Sequence, residues 1–450
     1  MKIALAHFRV GETDGVSLEM EKWKLAFETM GHEVVFLAGS EGQTEAYVID
    51  ELHYMHPLNN KFVYNAYERL VDYDDEQAFE SDMLRFAESI EKKLIAFIKN
   101  EKIDVVIPNN ILSLGWGLPA AVAFSNAAKK TNIKYLCHHH DFYWEREKYS
   151  KPTCAFISEW LTTYFPPLLE NVNHVVINKI AKGELEKRRG IASTVVPNVF
   201  DFDADTWQVD EYNKDMRESL GLQEDDIVIL QATRITERKA IELGIDVVSV
   251  IQMQLKEMIG KSLYNGKTIS PETNVVYVLA GLPESSPRYL ELLKKKAEDL
   301  GVEIRFVNER VDHSRHLENQ QKIYSLWDAY VIADLITYPS ILEGWGNQLL
   351  EGVFAKKPVV IYEYPVYQTD IADRGFTFTS LGGSHTVSQD GLVEVSTDLV
   401  EQAGIEAAKV LTDTMLYQTI TEHNFKLGKK YYSYNSLQHY LSDVLKPLYV

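Results

Sequence analysis

The chain has 450 residues, of which 45% are hydrophobic and 25% are charged. One ordinary hydrophobic core does not support a chain of this length, so we expect two domains of globular composition. The net charge is −20 and the isoelectric point is near 5.1. This balance excludes nucleic acid as the main partner, because proteins bind phosphate backbones through basic surfaces.

Cysteine use and the apolar runs indicate a cellular compartment. Only Cys137 and Cys154 are present, which excludes a disulfide framework or a thiolate-rich zinc site and fits a reducing environment. The N-terminal apolar run is too short for a signal peptide, and the longest apolar stretch, 111–124, is about half a membrane span. We therefore predict a cytoplasmic protein without a transmembrane segment. Peripheral membrane contact and the oligomeric state stay open.

The first half predicts an alternation of strands and helices. Residues 3–6 predict a strand and residues 7–16 a loop, after which Ser17 is placed to cap a helix that Gly31 ends. The segment 33–37 predicts the second strand. Later strands are predicted at 104–107, 133–137, 174–178 and 194–196.

The same pattern starts again in the second half. Strands are predicted at 227–232, 275–280, 304–307, 335–338 and 359–362. The helix at 287–300 has clear end signals, with Ser286 as its cap, Pro287 at the first position and Gly301 after its end. Two such series predict two doubly wound parallel sheets. We place the N-terminal domain at 1–197 and the C-terminal domain at 198–424.

A segment with a glutamate at each end follows the predicted strand 335–338. It runs from Glu343 to Glu351, and we expect Asn347 to cap a helix ending near residue 356. Open α/β sheets bind ligands at the carboxyl ends of their strands. The free N–H groups of a helix start can hold an anion, and glycines let the backbone approach it. Each carboxylate can accept from two neighbouring hydroxyls, as a sugar diol presents them.

Three consecutive histidines, His138, His139 and His140, end the predicted strand 133–137. Side chains of consecutive strand residues face alternate sides, so the three cannot all bind one metal ion. Zinc is therefore not expected. A histidine at the carboxyl end of a strand is instead placed to contact a ligand.

These segments together resemble the family-4 retaining glycosyltransferases, also called glycosyl transferases group 1, whose signature is E-x7-E. Trp345 stands where the family usually has Phe. The resemblance implies that Glu343 holds donor-sugar hydroxyls and that Glu351 holds the nucleotide ribose. It also implies that the backbone between them lies along the sugar and diphosphate, at Gly344, Trp345, Gly346 and Asn347.

The resemblance also assigns cations. The family carries R-x-x-x-x-K after the first strand of its second domain, which corresponds here to Arg234 and Lys239 and implies that both bind the diphosphate. The leaving group needs such charge because its own negative charge grows as the glycosidic bond breaks. Arg238 is excluded from this pair on spacing alone.

Two residues of the first half complete the implied site. His140, with His139 as the alternative, aligns with the family's histidine that hydrogen-bonds the donor sugar. Gly15 falls in the loop that approaches the donor phosphates, where Asp14 replaces the first glycine of the family's usual Gly-Gly pair.

The implied fold is GT-B: two Rossmann-like domains that face each other across a cleft. A last helix starting near Ser433 places Leu437, Leu441 and Leu445 on one stripe, and the resemblance implies that residues 425–450 cross back to the first domain. The implied activity is retaining transfer of a hexose from a nucleotide-diphosphate sugar to a hydroxyl acceptor, without an essential metal. UDP-glucose and GDP-mannose are the donors that the family uses most.

Two other functions compete with this interpretation. The segment from Gly115 to Gly117 imitates the glycine fingerprint of NAD-dependent oxidoreductases, but it begins too far beyond the preceding strand for the required tight turn. A nucleotide-sugar-binding protein without turnover is the non-enzymatic alternative.

Overall fold

The protein is described by a computed structural model over residues 1–12 and 14–449, so Thr13 of the predicted 7–16 loop lies outside the described residues. The chain divides into two compact units. The first unit contains Met1–Val199 together with the segment from Tyr434 onward, and the second contains Phe200–Ser433. The predicted boundaries were 197/198 and 424/425; in the structure the returning segment starts at Tyr434.

The first unit contains one parallel sheet with helices on both faces. Its strands are β1 (Lys2–Ala6), β2 (Glu33–Ala38), β3 (Tyr47–Val48), β4 (Val105–Pro108), β5 (Lys134–His139), β6 (Val172–Val176) and β7 (Thr194–Val195). Its helices up to the linker are α1 (Gly15–Thr29), α2 (Pro57–Tyr67), α3 (Glu76–Asn100), α4 (Leu118–Thr131), α5 (Ala155–Tyr164) and α6 (Lys179–Arg189).

The second unit contains a parallel sheet, a mixed ribbon of three strands and an antiparallel ribbon of two strands. Its strands are β8 (Ile227–Gln231), β9 (Val275–Leu279), β10 (Glu303–Phe306), β11 (Val311–Asp312), β12 (His316–Glu318), β13 (Gln321–Ser325), β14 (Leu335–Tyr338), β15 (Val359–Ile361), β16 (Thr379–Ser380), β17 (Thr386–Val387) and β18 (Val393–Glu394). Its helices are α7 (Met216–Ser219), α8 (Ile241–Lys256), α9 (Pro287–Leu300), α10 (Leu326–Ile332), α11 (Asn347–Phe354), α12 (Thr397–Leu411) and α13 (Thr414–Tyr432), and α14 (Tyr434–Leu445) returns to the first unit.

The two main sheets share one strand order. The first runs β3-β2-β1-β4-β5-β6-β7, and the second runs β10-β9-β8-β14-β15-β16. In each sheet, the order in which the chain adds strands reverses between the first and the fourth strand, which are neighbours. This is the Rossmann arrangement. A crevice opens at the carboxyl ends of the strands on either side of such a reversal. The expected crevices follow β1 and β4 in the first unit, and β8 and β14 in the second.

Alternation along the strands supplies a core on each face of the first sheet. Ala4 and Ala6 point into a cluster with helices α2 to α5. Ile3 and Leu5 point to the other face, where they join apolar residues of α1 and α14. The predicted stripe of α14 is buried there, with Leu437, Leu441, Val444 and Leu445 inside the cluster and Tyr440 at its margin.

The predicted strands all occur within a few residues of their expected bounds, but two predicted helix caps are wrong. Asp14, rather than Ser17, caps α1, because its carboxylate accepts from the backbone N–H groups of Val16 and Ser17 at 3.1 and 3.2 Å. Asn347 is the first residue of α11 rather than its cap. Gly346 takes the cap position with φ +131°, where a Cβ atom would lie 2.2 Å from the Tyr364 hydroxyl.

The ribbon β11–β13 was not predicted as strands. Its three short strands interrupt the expected alternation between β10 and α10. Over the described residues, every helix is too short or too polar to span a bilayer.

Candidate active site

The charged site of the second unit is built on the adjacent strands β8 and β14, which pair in parallel through Leu335 and Ile229. Because their carboxyl ends meet at one edge, the segments that follow them are neighbours. The backbone N–H of Ile341 donates to the Arg238 carbonyl at 3.0 Å. This contact joins the basic turn after β8 to the loop that carries Glu343.

Glu343 forms a buried ion pair with Lys239. Only 4% of the Lys239 side chain and 9% of the Glu343 side chain are exposed. Burial alone would raise the pKa of Glu343, but the charges of Lys239 and Arg238 outweigh it and hold that pKa below its usual value. Glu343 is therefore an anion at neutral pH, able to accept hydrogen bonds from two hydroxyls.

Arg238 also contacts Glu343, a contact that the sequence did not predict; its exclusion on spacing concerned only the pair expected to bind the diphosphate. Its Nη1 lies 3.1 Å from Glu343 Oε2 and donates to the Leu342 carbonyl at 2.9 Å. The short 3₁₀ turn Glu237–Lys239 brings Arg238 and Lys239 to the same carboxylate. A spacing rule cannot detect this, since it counts residues and not the direction of the turn.

Arg234 lies at the same strand end but has a different partner. Its Nη1 is 2.8 Å from Glu284 Oε2, in the loop after β9. About half of each side chain is exposed, so this ion pair faces solvent. The structure thus brings Lys239, Glu343 and Arg238 into direct contact, and it places Arg234 on the adjoining loop with an acidic partner that the sequence did not reveal.

Two tyrosines contact the turn between the two glutamates. The Tyr364 hydroxyl donates to the Trp345 carbonyl at 2.8 Å. The Trp345 indole is buried and packs edge-to-face on Tyr432 with ring centroids 5.4 Å apart. The side chain of Trp345 therefore belongs to the core, so any ligand contact of this residue falls to its backbone. Gly344, Gly346 and Asn347 lie in the same turn and helix start.

Glu351 is buried one turn inside α11. Its carboxylate accepts a hydrogen bond of 2.8 Å from the Tyr330 hydroxyl of α10. This contact orients the carboxylate.

The first unit presents a histidine cluster at the carboxyl ends of β1, β4 and β5. His140 follows β5, and its Nε2 lies 3.2 Å from Asn109 Oδ1. His139 instead faces His174, with 3.0 Å between their ring nitrogens. His138 stacks on Trp23 with centroids 4.1 Å apart. His138 and His140 therefore lie on one side of the strand, with ring centroids 4.0 Å apart, and His139 lies on the other, as strand alternation predicts. Of the three, only His140 is partly exposed.

Two asparagines that the sequence reading missed hold His140 in place. Asn109 Oδ1 lies within hydrogen-bond distance of the ring nitrogens of both His138 and His140. Asn110 Oδ1 accepts from the backbone N–H groups of His140 and Asp141 at 2.8 and 3.1 Å. The signal was available, since both asparagines directly follow strand β4 at the expected crevice.

Burial keeps this cluster neutral. It lowers the pKa of His140 to about 3 and that of His7 to about 4. His7 Nδ1 bonds the Asn109 carbonyl at 2.8 Å, so it must donate there. Within the described residues, no group of three or more histidine, cysteine, aspartate or glutamate side chains is arranged to hold a metal ion.

Gly15 is the first residue of α1, next to the Asp14 cap. A Cβ atom at Gly15 would meet no atom of the described chain within 4 Å. The fold itself therefore does not require glycine at this position, and the space beside it is open to a ligand.

Comparison with known proteins decides the family. Glycosyl transferases group 1 matches residues 213–380. Mannosylglucosylglycerate synthase of Petrotoga mobilis is 44% identical over 429 residues, covering 95% of this chain and 97% of that protein. The protein of the same name from Thermotoga maritima is 41% identical over 450 residues, covering 99% of this chain and 100% of that protein. The chain belongs to the group 1 glycosyltransferases.

A solved glycosyltransferase from Rickettsia africae supports the fold of this glycosyltransferase. It covers 100% of this chain and 98% of its own, with a TM-score of 0.63 at 15% identity. The glycosyltransferase has the GT-B fold, with two Rossmann-like units, and it transfers a hexose from a nucleotide sugar to an acceptor. The predicted family, fold and enzyme class are confirmed.

The oxidoreductase alternative finds no support in these comparisons, and the structure explains the glycines that suggested it. A Cβ at Gly115 would approach Tyr143 Cβ to 2.8 Å, and one at Gly117 would approach the Phe8 ring to 2.6 Å. The Tyr67 hydroxyl also donates to the Gly115 carbonyl at 2.6 Å. Glycines 115 and 117 of the glycosyltransferase are thus required for close packing.

Proposed function

We propose that this glycosyltransferase moves a mannosyl residue from GDP-mannose to glucosylglycerate, with retention of the anomeric configuration. The observation that carries the proposal is similarity over nearly the whole chain to two proteins named mannosylglucosylglycerate synthase. Removing the mannosyl group from the product in that name leaves glucosylglycerate as the acceptor. Of the two donors that the sequence left open, only GDP-mannose supplies mannose.

In the proposed mechanism, the second unit binds the donor. Arg234, Lys239 and the N–H groups at the start of α11 stabilise the diphosphate as its charge grows during bond cleavage. The anionic Glu343 accepts from hydroxyls of the sugar, and Glu351 accepts from the ribose. Lys239 then contacts both the diphosphate and Glu343, which couples the position of the sugar to that of the leaving group.

His140 contributes as a neutral hydrogen-bonding group to the sugar. Its low pKa, which burial causes, excludes it as a cation at pH 7. We assign no covalent nucleophile. The acceptor hydroxyl attacks from the same side as the departing diphosphate, as the family resemblance implies, and the site requires no metal.

The direct test is a donor and acceptor matrix. Purified protein is incubated with GDP-mannose or UDP-glucose, each with glucosylglycerate or glycerate, and nucleotide release is measured with and without EDTA. We expect release only with GDP-mannose and glucosylglycerate, unaffected by EDTA, and an α-linked product by NMR. Exclusive use of UDP-glucose, an inverted product or full loss of activity in EDTA would each contradict one part of the proposal.

The cellular location belongs to the same proposal. Both cysteines are buried and unpaired, which agrees with a reducing compartment. We propose that the enzyme works in the cytoplasm, and fractionation of cells carrying the untagged protein would test it.

A further inference from the structure

The cations of the proposed diphosphate site are each paired with a carboxylate of the same unit. Lys239 and Arg238 share the buried Glu343, whereas Arg234 pairs with Glu284 at 2.8 Å. Glu343 has its own task on the sugar in the proposed function. The proposed function gives Glu284 no role, yet its carboxylate pairs with the Arg234 guanidinium that would bind the diphosphate.

Backbone pairing between two loops places Glu284 next to Arg234. The parallel pairing of β8 and β9 continues beyond the strands as a bridge between Ile235 and Pro283. The Glu284 N–H donates to the Ile235 carbonyl at 3.1 Å, and the Ile235 N–H donates to the Leu282 carbonyl at 2.9 Å. Residues 234 and 284 therefore lie side by side on two loops that are fastened together.

Glycine makes this close approach of the two loops feasible. A Cβ atom at Gly281 would lie 1.7 Å from the Thr233 carbonyl oxygen. A second link follows, in which the Ser286 hydroxyl donates to Glu237 at 3.1 Å. The main chain around Glu284 is thus fixed, while 43% of its side chain is exposed and free to rotate into solvent.

We propose that Glu284 is a built-in counter-ion that competes with the donor diphosphate for Arg234 and so sets the affinity for the nucleotide. This inference rests on the proposed function, in which Arg234 binds the diphosphate. When the nucleotide is absent, the Glu284 carboxylate neutralises Arg234. When the diphosphate arrives, its oxygens replace that carboxylate, and Glu284 returns to Arg234 as the nucleotide product leaves.

The size of the effect follows from the exposure of the pair. Exposed ion pairs contribute roughly 0.2–1 kcal/mol, so removing this competitor should strengthen nucleotide binding about 1.4- to fivefold. Salt screens such a competition. The gain should therefore shrink as ionic strength rises.

The experiment is a double-mutant cycle read by calorimetric titration of the full chain with GDP, and with UDP for comparison. The variants are Glu284→Gln, Arg234→Gln and the double variant, with Glu298→Gln as a control that removes one exposed charge from the end of α9. We expect Glu284→Gln to lower the Kd for GDP about 1.4- to fivefold. Glu298→Gln should leave the Kd unchanged, and Glu284→Gln should have no effect once Arg234 is replaced.

Each outcome separates this inference from the proposed function. If Arg234→Gln leaves GDP binding unchanged, the proposed role of Arg234 is wrong. If Arg234→Gln weakens binding but Glu284→Gln does not strengthen it, only the counter-ion proposal is overturned. Weaker binding in Glu284→Gln would overturn it as well, because Glu284 would then orient Arg234 for the ligand instead of competing with it.

Discussion

The two Rossmann-like units share a strand order and a reversal point, yet the side chains at that point are charged in one unit and neutral in the other. In the second unit, cations meet carboxylates, and Glu343 is held ionised beside Lys239. In the first unit, His7 and His140 are kept neutral by burial and are joined through Asn109. One topology thus provides two kinds of crevice, and the side chains at the strand ends decide which kind.

The difference teaches how the work of the transfer is divided. A diphosphate that gains charge in the transition state requires ionic groups whose charges do not change at working pH. A sugar hydroxyl carries no charge, so neutral donors and acceptors can orient it as well as a carboxylate can. In the proposed function, the neutral groups of the first unit are suited to hydrogen-bond a sugar, and the charged groups of the second unit are suited to stabilise a diphosphate.

Removing the central carboxylate should give the largest effect. Glu343→Ala should lower turnover about 10²-fold, on the order of 3 kcal/mol of transition-state stabilisation, because Lys239 loses its buried partner and the sugar loses an acceptor. Steady-state kinetics with saturating donor measure this. Glu343→Gln, which keeps the shape, should also be impaired, and near-normal turnover in both would contradict an ionic role for this carboxylate.

Acid should destabilise the first unit before the second. His7 and His174 have pKa values lowered by burial to about 4, so the unfolded chain binds their protons first. Their contribution is complete above about pH 6.5 and is lost as the pH falls towards 4, at about 1.5 kcal/mol each by pH 5.5.

Hydrogen exchange at pH 7.5 and 5.5 measures this loss in each unit. We expect protection to fall first in the sheet of the first unit, and His174→Gln to reduce the change. Equal loss in both units, or earlier loss in the second, would remove the basis for calling the first crevice a neutral one.

Glu351→Gln should chiefly weaken nucleotide binding, by about tenfold, since a hydrogen bond to a charged acceptor is replaced by one to a neutral amide. Calorimetry with the free nucleotide reports it. Tyr330→Phe is the matched control, because it removes the hydroxyl that orients Glu351 and keeps the charge. A larger effect in the control than in Glu351→Gln would indicate that the tyrosine binds the ligand.

The smallest effect is expected at the cap of α1. Asp14→Ala should cost about 1 kcal/mol of folding stability through loss of the capping carboxylate, measured by chemical denaturation. Asp14→Asn keeps a capping oxygen and should retain most of the stability. If both variants alter donor affinity by more than a few fold, Asp14 takes part in binding beyond its role as a cap.

Much of the fold could be predicted because its signals are local. Apolar runs at the strands, the caps of α9 and the stripe of α14 each lie within one short segment. The ribbon β11–β13 could not be predicted in this way, because its strands have only two to five residues and are stabilised by pairing with each other. The cap of α11 could not be predicted either. Gly346 is required there because the Tyr364 hydroxyl leaves no room for a Cβ atom, and the two residues are close only in the folded chain.

For the candidate site, the sequence identified side chains but not their partners. The positions of Glu343, Lys239 and His140 follow from strand ends, which the sequence shows. The contacts of Arg238 with Glu343 and of Arg234 with Glu284 depend on how turns from separate strands approach each other. The functional roles assigned to these residues stay predictions until the variants are measured.

The return of α14 to the first unit has a consequence for biosynthesis. Residues 1–199 leave the ribosome well before residues 434–449, so the apolar cluster that α1 and its sheet face share with α14 is incomplete until α14 is synthesised. We expect stalled nascent chains that end before residue 434 to be digested readily by protease within the first unit, and chains that include α14 to resist. Full resistance in the shorter chains would show that the early segment matures without its late-synthesised partner.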